Sequence, residues 1–330
     1  MKPYLELAKN RLNAMVLVTT AVGFVLGMPG PLDSAAWARL FWTIVGTGLA
    51  GAGASALNQL LEIRRDAQMQ RTRLRPLPTG QISALQALIF ALLTTLAGVG
   101  ILNELVNPLT ALLGLANVVI YAVIYTPLKT RTSLCTLVGA VCGALPPMMG
   151  WTAASGQFGV GAVLLGTILF LWQIPHFLAL AWMLRDDYAK AGFRMLPLID
   201  PQGHLTCLMI VLYSLALLPL GLAITFSGLA GYLFAAASLV LGLGMLLLAL
   251  ALRRIKTPQN ARRVFLASLV YLPLLMACMV LDGRPHNSAA APVIANSSSP
   301  AGADVEAAPA SWDPLVSAAL ASRPASSEAR

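Results

Sequence analysis

The chain has 330 residues, 58% of them hydrophobic and 11% charged, with a formal net charge of +9. Soluble domains carry about 25% charged residues, so this composition excludes an ordinary water-soluble globule. The apolar excess falls in runs near the ~20 residues a helix needs to cross a bilayer, which makes the lipid bilayer, with no nucleic acid, the expected partner of this basic chain.

In chain order, nine runs read as membrane spans, at about 12–30, 38–60, 82–102, 108–127, 135–155, 159–184, 205–226, 229–252 and 264–281. The expected fold class is therefore all-α, a polytopic membrane bundle occupying residues 1–284. The first run is long enough to span and is followed by no small-residue cleavage site, so it is expected to stay as a helix and not to be removed as a signal peptide. The four cysteines, Cys135, Cys142, Cys207 and Cys278, lie in apolar runs without metal or redox spacing and are expected to be ordinary buried thiols.

With nine spans the connections alternate between two sides. The N-terminal segment and the connections at 61–81, 128–134, 185–204 and 253–263 hold 18 of the 22 Lys+Arg. Basic residues mark cytoplasmic connections, so the N-terminus is expected in the cytoplasm and the C-terminus on the opposite side. From 285 to 330 the sequence becomes rich in Ala, Ser and Pro. Such a segment buries too little apolar surface to offset its ordering entropy, and it is expected to be a disordered tail.

Two cytoplasmic connections carry most of the polar residues. In the first, Asn58, Glu62 and Asp66 recur at i, i+4 and i+8, which places them on one helical face. Like charges at that spacing repel, so a cation is expected there, and amide and carboxylate oxygens suit Mg²⁺. Arg71, Arg73 and Arg75 follow, then Pro76 and Pro78. An arginine fork matches phosphate oxygens, and a Mg²⁺–diphosphate pair needs both parts. The contrasting reading is a solvated set of ion pairs whose arginines only fix topology. In the second connection Asp186 and Asp187 form another acidic pair on the same side, either a second metal-binding pair or a helix-end pair balanced by Arg185 and Lys190.

Within the sixth span His176 follows Pro175. An ionisable residue inside a span is a functional-site candidate. It can ligate iron, act in acid–base chemistry or serve as a hydrogen-bonded packing residue. Pro175 and the Pro146-Pro147 pair of the fifth span imply interrupted helices, which are tolerated where backbone is buried or lines a cavity. Tyr121 and Tyr125 share a face of the fourth span just before Lys129, as a cavity wall or an interfacial tyrosine belt.

The segment Asn58-xxx-Glu62-xxx-Asp66, with Arg71-Thr72-xx-Arg75-Pro76 after it, resembles the first aspartate-rich motif of the UbiA-type intramembrane prenyltransferases. That family usually has Asp where Glu62 stands, and the longer arm alters metal geometry there. YTPLKTRT (125–132), GALPPMMGW (143–151), WQIPHF (172–177) and DDYAKAGFRMLPL (186–198) are similar to the branch that farnesylates protohaem IX. Cys135 replaces an asparagine often found in that branch. The resemblance covers about 8–282.

It implies about nine helices around a central cavity open to the cytoplasmic side of the cell inner membrane, with Mg²⁺ as cofactor. Farnesyl diphosphate and haem B are the implied substrates and haem O for terminal oxidases the implied product. Other haem-modifying or oxidase-assembly membrane proteins are implied associates. The resemblance also implies roles for Asn58, Glu62, Asp66 and His176 in catalysis. Arg71, Arg75, Lys129, Tyr125 and Arg185 would bind substrate, and Asn58, Glu62, Asp66, Asp186 and Asp187 would bind metal. Two competing functions remain open at this point: prenyl transfer to a quinone or chlorin precursor, and membrane transport. Transport is disfavoured because the polar residues gather on one side and no inverted repeat is visible.

Overall fold

A computed structural model describes residues 2–283. The expected tail at 285–330 lies outside the described residues. Among them, nine helices are long and apolar enough to cross a membrane: Asn10–Gly27, Ser34–Leu61, Ala84–Leu105, Pro108–Leu128, Cys135–Ser155, Val160–Met183, His204–Phe226, Tyr232–Arg254 and Pro258–Leu281. They are called the first to the ninth span. The all-α reading and the nine spans agree with this architecture, and strand pairing among the described residues is confined to a single bridge between Ala230 and Gly283.

Local chemistry explains where the ends fall. Asp33 caps the second span by accepting from Ala36 N at 2.7 Å. Ser83 and Gln86 form a reciprocal capping box at the start of the third. Asn107 caps the fourth, with Pro108 in its first turn. The ninth begins at Pro258 rather than near 264, because Thr257 caps it and Pro258 occupies the first turn, where its missing N–H costs nothing.

The second span packs on the third, and both meet the fourth. The first lies mainly against the fifth, the fifth against the sixth, and the sixth against the seventh and ninth, with the eighth bridging those two. Small residues permit the closest approaches, as expected where lipid removes the hydrophobic drive between helices. A Cβ on Gly98 would meet the backbone of Gly46 and Ala50, and one on Gly150 would meet the backbone of Thr20 and Phe24. The largest apolar core joins spans five to nine around Trp151, Phe234 and Tyr271. Leu93, Leu96, Val240 and Leu247 point outward, as side chains facing lipid do.

Two departures from regular helix bear on the site. The second span ends at Leu61, Glu62 takes a non-helical conformation, and a short helix Ile63–Asp66 follows. Glu62 N still donates to Asn58 O, and Asp66 N to Glu62 O, so the one-face register of Asn58, Glu62 and Asp66 survives the break. Within the fourth span, Ile120–Tyr125 forms a π-helical turn. Such insertions cluster at functional sites.

Candidate functional site: a buried charged cluster at one end of the bundle

Asn58 and Asp66 are fully buried, Glu62 is 3% exposed and Lys129 8%. Buried charges require partners, and each of these has one. Lys129 Nζ donates to Glu62 Oε1 at 2.9 Å and Oε2 at 3.1 Å. Arg75 donates to Asp66 Oδ2 at 2.8 Å. Lys9 Nζ donates to Asn58 Oδ1 at 2.6 Å and to the Tyr121 hydroxyl at 3.2 Å. Because an ammonium only donates, that contact fixes the amide orientation, and Asn58 Nδ2 turns to Glu62 Oε2 at 3.1 Å and Thr126 Oγ1 at 2.9 Å. The Thr126 hydroxyl donates to Tyr121 O, across the π-helical turn.

The cluster thus sets two carboxylates, Glu62 and Asp66, against three cationic side chains, Lys9, Arg75 and Lys129. Burial, with Lys129 and Arg75 nearby, pushes the Lys9 ammonium down to about 7. Its backbone is left-handed, with φ 48°, an uncommon conformation for a residue bearing a Cβ. Lys129 also lies 4.6 Å from the centroid of the Tyr125 ring, and Tyr125 stacks on Tyr121.

The loop after Asp66 is held from both sides. Thr72 donates its hydroxyl to Asp66 O at 2.8 Å. The backbone N–H groups of Gln70 and Arg71 point at the two Asp187 oxygens at 3.4 Å. Arg71 donates to the Tyr188 hydroxyl at 3.1 Å and lies over that ring. Asp187 therefore pins the arginine loop, and Arg194 N, donating to Lys129 O at 2.7 Å, brings the rest of the 185–204 connection alongside. Asp186 is exposed, its nearest cation being Arg185 at 3.8 Å, and Arg185 stacks over Trp182.

Of the residues singled out from the sequence, Asn58, Glu62, Asp66, Arg75, Lys129 and Tyr125 come together in one web. Arg71 and Asp187 form its adjoining edge. His176 stands apart in the sixth span: Nδ1 lies 2.8 Å from Ser268 Oγ, and the ring sits among Trp172, Phe177 and Phe265. Sequence reasoning counted Lys9 only as a topology charge and did not single out Thr126 or Tyr188. The four cysteines are free thiols, three of them buried and Cys278 partly so.

No three His, Cys, Asp or Glu side chains gather into a metal cage among the described residues. Mg²⁺ seldom uses one; it keeps waters and takes one or two carboxylates together with substrate phosphates. Asp66 Oδ1 is buried and accepts no hydrogen bond from any described residue, and Glu62 lies one turn away. The donor set fits that mode of binding.

An all-helical bundle of membrane-spanning length, with Asn58, Glu62, Asp66 and Lys129 buried at one end, is an integral multi-pass membrane protein. The chain belongs to the UbiA prenyltransferase family, which matches residues 16–274. It is 41% identical over 291 residues to the protoheme IX farnesyltransferase of Solibacter usitatus, covering 86% of this chain and 99% of that one. It is 43% identical over 281 residues to the mitochondrial protoheme IX farnesyltransferase of Homo sapiens, covering 85% of this chain and 62% of the human protein. Among solved structures, a UbiA homolog from Archaeoglobus fulgidus bound to GPP and Mg²⁺ has the same fold, with a TM-score of 0.60 at 16% identity, covering 84% of this chain and 99% of that one. Digeranylgeranylglyceryl phosphate synthase shares it too, with a TM-score of 0.70 at 14% identity over 85% and 97% of the two chains.

Proposed function

We propose that the protein transfers a farnesyl group from farnesyl diphosphate to a vinyl group of protohaem IX (haem B), giving haem O. The observation that carries this reading is the buried cluster of Asn58, Glu62, Asp66, Arg75 and Lys129. Its residues come from sequence-distant segments and suit a metal–diphosphate pair, in a chain about 41% identical to a protohaem farnesyltransferase along nearly all of that relative's length.

The chemistry runs as follows. The bond between farnesyl C1 and the diphosphate oxygen breaks, and the diphosphate departs with the electron pair. Arg71, Arg75 and Lys129 stabilise that developing charge in a site shielded from water. Asn58, Glu62 and Asp66 would hold Mg²⁺ together with the diphosphate, and the ion would supply further charge neutralisation there. Asp187 steadies the arginine loop, and Asp186 beside it would face any second ion brought in with the substrate. The vinyl π electrons attack C1 of the allylic cation, water adds at the resulting cationic carbon, and loss of a proton leaves the hydroxyethylfarnesyl side chain. The farnesyl chain runs inward from the cluster between the helices, whose apolar walls keep water from the cation until transfer is complete. His176, deeper in the sixth span, serves the haem side.

The membrane is the cell inner membrane. The charged cluster faces the cytoplasm, the side marked by the basic connections; reporters fused at Leu74 and at Gly302 should report opposite sides, and a shared side would refute this orientation. For the activity itself, membranes containing the protein are incubated with haem B and farnesyl diphosphate. Haem O should appear by mass; its absence, with prenyl transfer to a quinone precursor instead, would overturn the acceptor assignment.

A further inference from the structure

Each member of the Asn58, Glu62, Asp66 face is held by a basic side chain from a different part of the chain. Lys129 directly follows the fourth span, Arg75 comes from the loop after Asp66, and Lys9 from just before the first span. The first two sit where a leaving diphosphate needs cations. Lys9 is different, because it is spent on the amide that begins the motif. The fold goes to some length to place it there. Gln59 donates to Leu7 O at 2.7 Å and so anchors the short helix Lys2–Leu7 across the second span. The chain then bends through the left-handed Lys9 into Asn10, which aims the ammonium at Asn58 Oδ1 and Tyr121.

A dication introduced between Asn58 and Glu62 would stand against the Lys129 ammonium on one side and the protonated form of Lys9 on the other, with Arg75 close by. Like charges repel strongly in such surroundings. A diphosphate reverses that balance. It brings several negative charges, offers Lys9 and Lys129 a competing partner, and supplies the oxygens Mg²⁺ prefers.

We propose that Lys9 is a resident cation that closes the Asn58–Glu62 face to metal until a diphosphate is present, so that metal and diphosphate load only together. The inference rests on the metal–diphosphate reading of the site. Lys9 acts through Asn58 and is a positioning residue.

The test uses the full chain in phosphatidylcholine nanodiscs, with radiolabelled Mn²⁺ as the metal probe and inorganic diphosphate as the anion. Metal retained on a filter is counted after subtracting empty nanodiscs given the same additions. The wild type should retain little Mn²⁺ alone and about tenfold more or better with diphosphate, the direction set by the excess positive charge. Lys9→Gln should retain Mn²⁺ without diphosphate, and Lys9→Arg, which keeps the charge, should behave as the wild type. Equal retention by the wild type with and without diphosphate would overturn the proposal, as would a Lys9→Gln protein that shows no gain yet still loads with diphosphate. The wild-type comparison needs no variant, so misfolding of Lys9→Gln does not protect the idea. Retention under neither condition would overturn both the gating and the metal reading. A wild type that loads metal alone and still forms haem O would overturn only the gating.

Discussion

At the end of the second span, Glu62 pairs with Lys129 and Asp66 with Arg75, while Lys9 donates to Asn58 and Tyr121. In the sixth span the ionisable group is a lone imidazole. His176 sits among three aromatic rings and makes a single hydrogen bond, to Ser268. The first region is preorganised for charge that moves, since its groups are fixed before any ligand arrives and need no reorganisation during reaction. The second, on the proposed function, would meet the flat, mostly apolar acceptor. A prenyl transfer to haem needs both environments, and the contrast says which half of the reaction each variant should damage.

The largest effect should come from Asp66→Asn. The substitution keeps the shape, but it removes the charge opposite Arg75 and replaces one of two carboxylates in a buried cluster that already carries three cationic side chains. Haem O formation at saturating substrates should fall by roughly 10²–10³, the scale on which preorganised electrostatic groups act. Near-normal turnover would show that the cluster is structural and that the charge-handling site lies elsewhere.

His176→Ala should rank next, with the damage confined to the acceptor. Haem O formation should drop by at least about tenfold, while binding of a non-hydrolysable farnesyl diphosphate analogue, measured in the same preparation, stays near wild type. Normal product formation would make the imidazole a packing residue and dissolve the contrast. Loss of analogue binding would mean that the two regions are one.

The first region was far more legible in the sequence than its full membership. Asn58, Glu62 and Asp66 could be placed on one face because helical periodicity operates over eight residues, and hydrogen bonds from the Glu62 and Asp66 amides preserve that face through the break at Glu62. The nine spans were legible because lipid demands long apolar runs. Lys9 was not, because its contact with Asn58 bridges 49 residues of sequence and that with Tyr121 bridges 112. It also depends on a left-handed bend at a residue that is neither Gly nor Asn. The π-helical turn at Ile120–Tyr125, which seats Thr126 against Asn58, was equally silent, since nothing in IYAVIY departs from an ordinary apolar helix. The partnership of His176 with Ser268 joins two spans and could not be read from either alone.

Arg75→Lys tests a smaller difference within the first region. The charge opposite Asp66 is retained, but a point cation cannot span a carboxylate and a phosphate as the planar fork does. Turnover should fall about tenfold, with KM for farnesyl diphosphate raised and KM for haem unchanged. Unchanged kinetics would reduce this arginine to a topology marker.

The smallest effect belongs to Ser268→Ala, and it probes how the imidazole is held. The Ser268 hydroxyl is 2.6 Å from Phe265 O and donates to it, so its oxygen is left to accept from His176 Nδ1 at 2.8 Å. That arrangement selects the tautomer with hydrogen on Nδ1 and leaves Nε2 as a lone-pair donor, which receives no hydrogen bond from any described residue. Removing the hydroxyl deletes two neutral hydrogen bonds, to Phe265 O and from His176 Nδ1, each worth about 1 kcal/mol, and releases the tautomer without changing the aromatic walls formed by Trp172 and Phe265. Haem O formation should therefore fall only a few-fold, between wild type and His176→Ala, with farnesyl diphosphate kinetics untouched. If Ser268→Ala matches His176→Ala, the hydroxyl contributes more than orientation. If it has no effect while His176→Ala is crippled, the ring is held by its aromatic neighbours, and the hydrogen bond to Ser268 is incidental to the haem side of the reaction.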